Sequence, residues 1–126
     1  MASSDPVTVY LQTRDEYFGN AEVLLGKGEE RKASEMLWGA IAQGVKALAA
    51  SRNIIPETHS RLFEFVREVA RECKRRDIYE TFLELQVLHG NFYDTAIPAE
   101  ALLSYFRRAR TFLLELEGLI RRDVLE

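Results

Sequence analysis

Apolar residues recur every three or four positions along most of the chain, which is the spacing that places side chains on one face of a helix. The first such stretch begins at Asp5-Pro6, a capping residue followed by a proline that suits the first helical position. Gly26 and Gly28 mark its end, so the sequence predicts a helix of about 20 residues. A second helix is predicted from Glu29-Glu30. Its many alanines and glycines allow close backbone approach, so we expect it at the centre of the fold.

Three further helices are predicted after a short loop. The third begins at Thr58 or Ser60, either of which can cap it, the fourth begins at Asp77, and the last follows Pro98. No stretch alternates with period two, so no strand is expected. Short loops favour antiparallel neighbours. The sequence therefore predicts an all-α protein, a single domain over residues 1–126 in which about five helices form an up-and-down bundle.

The last predicted helix carries a second apolar stripe beside its main one, formed by Tyr105, Phe112 and Leu119. A slim bundle does not need both stripes for its own core. Exposed apolar surface of this kind marks contact sites. We therefore expect this helix to present aromatic side chains to a second copy of the chain, and the sequence predicts a homodimer.

Composition and charge exclude several classes of protein. The net charge of −3 gives no general attraction for polyanions, so nucleic-acid binding would depend on local clusters of positive charge. Among these clusters Arg107-Arg108-Arg110 is less compensated by nearby acids than the others. Cys73 is the single cysteine, which favours a reducing compartment. No segment has the roughly 18–20 apolar residues of a membrane span. We expect a cytoplasmic protein that does not enter the membrane.

His89 is the most informative candidate for chemistry, because it falls on the apolar stripe of the fourth helix beside polar residues. An imidazole there can act as a general acid or base, whereas the plainer interpretation is a partly buried histidine bonded to a neighbour. Asn91 and Tyr93 follow it and are candidate ligand-binding residues. Three residues of the second helix complete the set of candidates: Glu35, Trp38 and Lys46.

His59 is interpreted from the sequence as part of the capping segment of the third helix. A metal site shared by His59 and His89 would need a third ligand, and no His-x-x-x-His or Cys-x-x-Cys spacing exists, so no metal is predicted. The glycine-rich nucleotide signatures and the G-x-S-x-G motif are also absent. No cofactor is predicted.

Four stretches together resemble the HEPN superfamily and, within it, the archaeal PaREP-type group. Their order and spacing span nearly the whole chain, and they are Tyr17–Leu25, Ala33–Ala40 continuing through Gln43–Leu48, Thr58–Ser60, and Leu88–Asp94. The resemblance implies a helical bundle that often dimerises. It also implies nucleotide binding or RNA cleavage, often beside a nucleotidyltransferase partner.

One position departs from the pattern that the resemblance implies. Nuclease members carry an arginine four to six residues before the histidine that matches His89, but Leu83, Glu84 and Leu85 stand there. A carboxylate at that place repels a phosphate. We therefore predict a homodimeric nucleotide- or RNA-binding module without a complete nuclease motif. The alternatives are a metal-independent ribonuclease or toxin of a toxin–antitoxin pair, with a cation supplied by Arg31 or a partner subunit, and a module that only binds other proteins.

Overall fold

The computed structural model describes residues 5–93 and 97–125, and within them the side chains of all residues except 91–93 and 125. The described residues form helices and connections, with no strand among them. The helices are α1 (Pro6–Gly26), α2 (Glu30–Ser51), α3 (His59–Cys73), α4 (Arg76–Leu85), α5 (Val87–Tyr93) and α6 (Ala99–Leu125). Only Gln86 separates α4 from α5, so these two occupy the place of the single fourth helix that the sequence predicts. The all-α bundle of about five helices is confirmed.

The predicted helix starts are close to those observed. The Asp5 side chain accepts a hydrogen bond from the Val7 amide at 3.2 Å, and Thr58, rather than Ser60, caps α3 by accepting from the Arg61 amide at 3.1 Å. These caps satisfy amides that have no partner inside the helix. The cap at Thr58 fixes His59 as the first residue of α3.

Three helices end in the same way, with one residue in the left-handed conformation followed by a closing backbone bond. The left-handed residues are Gly28, Asn53 and Lys74. In each case the next amide donates to the carbonyl five residues earlier, at 3.0, 2.9 and 2.9 Å respectively. This is the Schellman motif, which reverses the chain sharply at a helix end. Lys74 lacks the sequence signal of the other two, because lysine pays a steric cost there that glycine avoids.

The second helix lies at the centre, as its small residues predict. Eleven of its residues are buried, and it contacts α1, α3, α5 and α6. A Cβ at Gly44 would lie 2.5 Å from Cδ2 of Leu113, so the Leu113 side chain of α6 packs into space that glycine leaves on α2. A larger residue at this position would require Leu113 to move.

The third helix departs from strict up-and-down alternation. Trp38, early in α2, lies beside His59 at the start of α3, and Arg52, just after α2, bonds to Glu72 near the end of α3. Helices α2 and α3 therefore run in the same direction. The connection of residues 52–58 returns along the bundle, after Asn53 has turned the chain back. This return brings the start of α3 to the same end of the bundle as the start of α2.

The expected exposed aromatic stripe on the last helix is wrong in its central residue. Phe112 is 1% exposed and stacks on Phe82 of α4 with ring centroids 5.9 Å apart. Tyr105 and Leu119 are partly buried and pack against the core. The reason is that α2 and α4 both pack against α6, so together they cover a wider face of it than one stripe. Among the side chains of α6 that the structure describes, the large apolar ones that are exposed are Leu103, Leu114 and Val124.

Candidate functional site

The two histidines of the chain lie side by side, although thirty positions separate them in sequence. His59 begins α3 and His89 lies in α5, and their ring centroids are 6.0 Å apart. Trp38 of α2 contacts both rings, with centroid distances of 6.3 and 6.4 Å. The start of α3 and the α5 helix thus place two imidazoles against one indole.

Glu35 completes the set, one turn before Trp38 on α2. Its Oε1 lies 2.8 Å from Nδ1 of His89, and both side chains are about one-third exposed, at 31% and 36%. When the carboxyl group is ionised, Nδ1 donates the hydrogen, and the neutral ring then has Nε2 as its unprotonated nitrogen. This bond fixes the tautomer and the orientation of the His89 ring. We call Glu35, Trp38, His59 and His89 the histidine site.

The floor of the histidine site is a rigid aromatic layer. Trp38 is 5% exposed and stacks on Phe82 at 5.4 Å, while Phe63 lies 4.7 Å from Phe82 and 5.5 Å from His59. Aromatic pairs at these separations contribute about 0.5–1.5 kcal/mol each beyond the area they bury. Because the floor is packed into the core, the positions of both imidazoles are set by the fold.

Some of the sequence-predicted residues come together and others do not. Glu35, Trp38 and His89 form one cluster, whereas Lys46 is three helical turns further along α2, about 16 Å away along the helix axis. The side chains of Asn91 and Tyr93 lie outside the described residues. His59, which the sequence analysis interpreted as a capping residue, belongs to the cluster. No local signal marks it, because the contact depends on the return of the connection before α3.

Glu84, which the sequence analysis placed where a cation is implied, is exposed on α4 and contacts Arg108 of α6 at 3.5 Å. Arg110 contacts Glu22 of α1 at 2.9 Å, and its guanidinium lies 4.7 Å from the Phe18 ring centroid. The arginine cluster is less compensated than the others by acids near it in sequence, but in the fold acids from other helices reach two of its members.

A groove between α3 and α4 begins at the histidine site. Its volume is about 500 Å³, and one of its lining residues is His59, so it begins beside that imidazole of the pair. The residues that line this α3–α4 groove are His59, Ser60, Phe63, Glu64, Arg67, Tyr79, Leu83 and Gln86. A space of this size suits a small organic ligand.

Within the described residues, no three metal-ligating side chains are grouped so that they could hold an ion. None of the helices in those ranges is long and apolar enough to cross a membrane. The arrangement is that of a helical protein with one exposed and one partly exposed imidazole over an aromatic floor. By its match to the model of the archaeal PaREP1/PaREP8 family over residues 9–113, the chain belongs to that family. No curated protein sequence matches it.

Proposed function

We propose that this chain is a HEPN-like module that binds a nucleotide or the end of an RNA strand at the histidine site. The observation that carries the proposal is the pair of imidazoles 6.0 Å apart over Trp38, with Glu35 holding one of them. Imidazole N–H groups donate hydrogen bonds to phosphate oxygens, and aromatic side chains stack on nucleobases. Because Nδ1 of His89 is bonded to Glu35, His89 would donate to a phosphate from Nε2 in its protonated form, while the exposed His59 ring offers a second donor. Trp38 is 5% exposed, so the aromatic surface available for stacking is the partly buried Phe63 ring beside His59.

The binding proposal is tested by calorimetry with adenosine monophosphate and by fluorescence anisotropy with a short labelled oligoadenylate. Trp38 is the single tryptophan and contacts both histidines, so its fluorescence gives an independent readout. We expect His59→Ala and His89→Ala each to weaken binding by about tenfold, the effect of losing one good charge-assisted contact. Circular dichroism should show unchanged helix content. Binding at parent strength in both variants contradicts the proposal.

Metal-independent RNA cleavage is the second candidate, and the nearness of His59 to His89 favours it. One imidazole would take the proton of a 2′-hydroxyl as its oxygen attacks phosphorus. The other would give its proton to the departing 5′-oxygen. The products would be a 2′,3′-cyclic phosphate and a free 5′-hydroxyl. Cleavage of end-labelled RNA in the presence of a chelator, lost in both His59→Ala and His89→Ala, would support this candidate. Equal cleavage by parent and variants would refute it.

The homodimer remains part of the proposal, but the residues proposed to form its contact are now other exposed apolar residues than the aromatic stripe of the last helix. Leu103 and Leu114 are exposed on α6, and Val9 and Val23 are exposed on α1. Burial of such residues against a second copy is the expected source of affinity. Analytical ultracentrifugation of the parent and of Leu114→Glu tests this, since a charge in a dimer contact should shift the protein toward the monomer. A parent that sediments as a monomer at all concentrations contradicts it. A nucleotidyltransferase partner stays a prediction of the family resemblance.

A further inference from the structure

We propose that the α3–α4 groove is the path of the ligand away from the histidine site, and that Arg67 binds a phosphate there. This inference rests on the proposed function and adds a direction and a cation to it. No arginine or lysine stands four to six residues before His89, where the sequence has Leu83, Glu84 and Leu85. Arg67 would supply positive charge from a different helix.

The geometry of α3 points in this direction. His59, Phe63 and Arg67 are spaced four residues apart, so they follow one face of the helix from its first residue onward. All three line the α3–α4 groove. Arg67 therefore lies about 12 Å along the helix axis from His59.

Ion pairing distinguishes Arg67 from Arg61 and Arg71, the arginines on either side of it in α3. Arg61 contacts Glu64 at 3.6 Å and Arg71 contacts Glu68 at 3.1 Å, both on the same helix. Arg67 has no carboxylate oxygen within 4.0 Å in residues 5–93 and 97–125. An exposed guanidinium without an ion-pair partner keeps its donors for a ligand. Its planar fork matches a phosphate group.

The opposite wall of the groove suits the rest of a nucleotide. Tyr79 and Leu83 of α4 line it, and Leu83 is 41% exposed. Together with Phe63 they give an aromatic and apolar surface beside a cation. Single-stranded nucleic acids bind to such surfaces by stacking of their bases, while positive charge follows the backbone. A free phosphate ion would use Arg67 and the histidines but not this wall.

The test compares Arg67→Gln with a matched control, Arg71→Gln. Both arginines are exposed on α3 and both changes remove one positive charge, but Arg71 is absent from the groove and already paired with Glu68. The probe is a fluorescein-labelled oligoadenylate titrated at several salt concentrations, with adenosine monophosphate and inorganic phosphate as comparison ligands. We expect Arg67→Gln to weaken oligoadenylate binding about fivefold to tenfold, and to make the slope of log affinity against log salt shallower by about 0.7.

Glu64→Gln gives a change of opposite sign. Glu64 lines the groove one turn before Arg67, so removal of its charge should tighten oligoadenylate binding about twofold to threefold. Arg31→Gln removes the other arginine considered from the sequence. It lies on α2 outside the groove and should leave affinity near that of Arg71→Gln.

The outcomes separate this inference from the proposed function. Equal affinity and equal salt slope in Arg67→Gln and Arg71→Gln overturn the role of Arg67, even if the histidine variants lose binding as proposed. Loss of affinity in Arg31→Gln instead of Arg67→Gln also overturns it. If the parent binds neither the oligoadenylate nor adenosine monophosphate, the proposed function fails and this inference fails with it. Weakening of oligoadenylate binding alone would place Arg67 at a phosphate beyond the first nucleotide.

Discussion

Charged residues gather at two places along α2, and the two places use them differently. At one, which we call the ion-pair end, Arg52 bonds to Glu72 of α3 at 2.7 Å and to Asp123 of α6 at 3.0 Å, and Ser51 also donates to Asp123 at 2.8 Å. At the other, the histidine site, Glu35 bonds to His89, and within the described residues no arginine or lysine is paired with Glu35. Glu35 and Arg52 are separated by about 25 Å along the helix.

The difference shows which charges hold the fold together. Partial burial of Arg52 works against its charge, but the hydrogen bonds to Asp123 and Glu72 outweigh it and raise the pKa of the guanidinium. Every charge at the ion-pair end is therefore used to join three helices. The histidine site joins α2, α3 and α5 mainly through aromatic contacts, so its polar atoms contribute less to the fold. This contrast leads to opposite expectations for substitutions at the two places.

Arg52→Ala should produce the largest loss of stability. It leaves Glu72 and the half-buried Asp123 without their guanidinium, and we expect the free energy of unfolding to fall by about 1.5–3 kcal/mol. Urea denaturation measures the change. Arg121→Ala is the matched control, because its pair with Glu117 is an exposed contact within one helix and should contribute no more than about 0.5 kcal/mol. Nucleotide binding should be unchanged in both, and an Arg52→Ala protein of parent stability would remove the contrast.

Glu117 extends the comparison to the contact between α1 and α6. Burial opposes its charge, but hydrogen bonds from Arg14 and Arg121 overcome this and lower the pKa of the carboxyl group. A lowered pKa in the folded state stabilises the protein above the ordinary glutamate value of about 4.3, and this contribution is lost as the pH falls through the lower folded value. Glu117→Gln should therefore cost about 1–2 kcal/mol at neutral pH, because Arg14 is only 12% exposed.

The pH dependence is the distinguishing measurement for Glu117→Gln. The difference in unfolding free energy between parent and variant should shrink as the pH is lowered below the ordinary glutamate pKa. Glu16→Gln serves as a control on α1, since Glu16 is exposed and outside any ion pair in the residues described. A stability difference that stays constant down to pH 3 would show that the Arg14 contact does not depend on charge.

The helices could be predicted from the sequence because their signals are local. Asp5-Pro6 and Thr58 mark starts through caps, and the small residues of α2 indicate its central place. The break at Gln86 has neither glycine nor proline to announce it, and Lys74 ends α3 in a conformation that its side chain disfavours. Both depend on tertiary packing of α4, which local propensity does not contain.

The candidate site was predictable only in part, for a related reason. Glu35, Trp38 and His89 are recognisable as polar or aromatic residues at unusual positions. His59 joins them because the connection of residues 52–58 returns along the bundle, and helical periodicity says nothing about the direction in which the next helix runs. The same return brings the His59 end of the α3–α4 groove to the other residues of the histidine site. A pairing between residues thirty positions apart in different helices requires the three-dimensional path of the chain.

Glu35→Ala is the counterpart of Arg52→Ala and has the smallest expected effect on stability. We expect the unfolding free energy to change by less than about 1 kcal/mol, because the Glu35–His89 pair is partly exposed. Nucleotide affinity should fall roughly threefold to tenfold, since the His89 ring loses the acceptor that orients it. Glu35→Gln should recover most of that affinity, because its amide oxygen still accepts from Nδ1. Nitrogen NMR of the His89 imidazole should show a mixture of the two tautomers in Glu35→Ala and a single tautomer in Glu35→Gln.

If Glu35→Ala instead loses as much stability as Arg52→Ala and keeps its nucleotide affinity, then the carboxylate at the histidine site has the same structural role as those at the ion-pair end. In that case the proposal that the imidazole pair forms a binding site would be refuted.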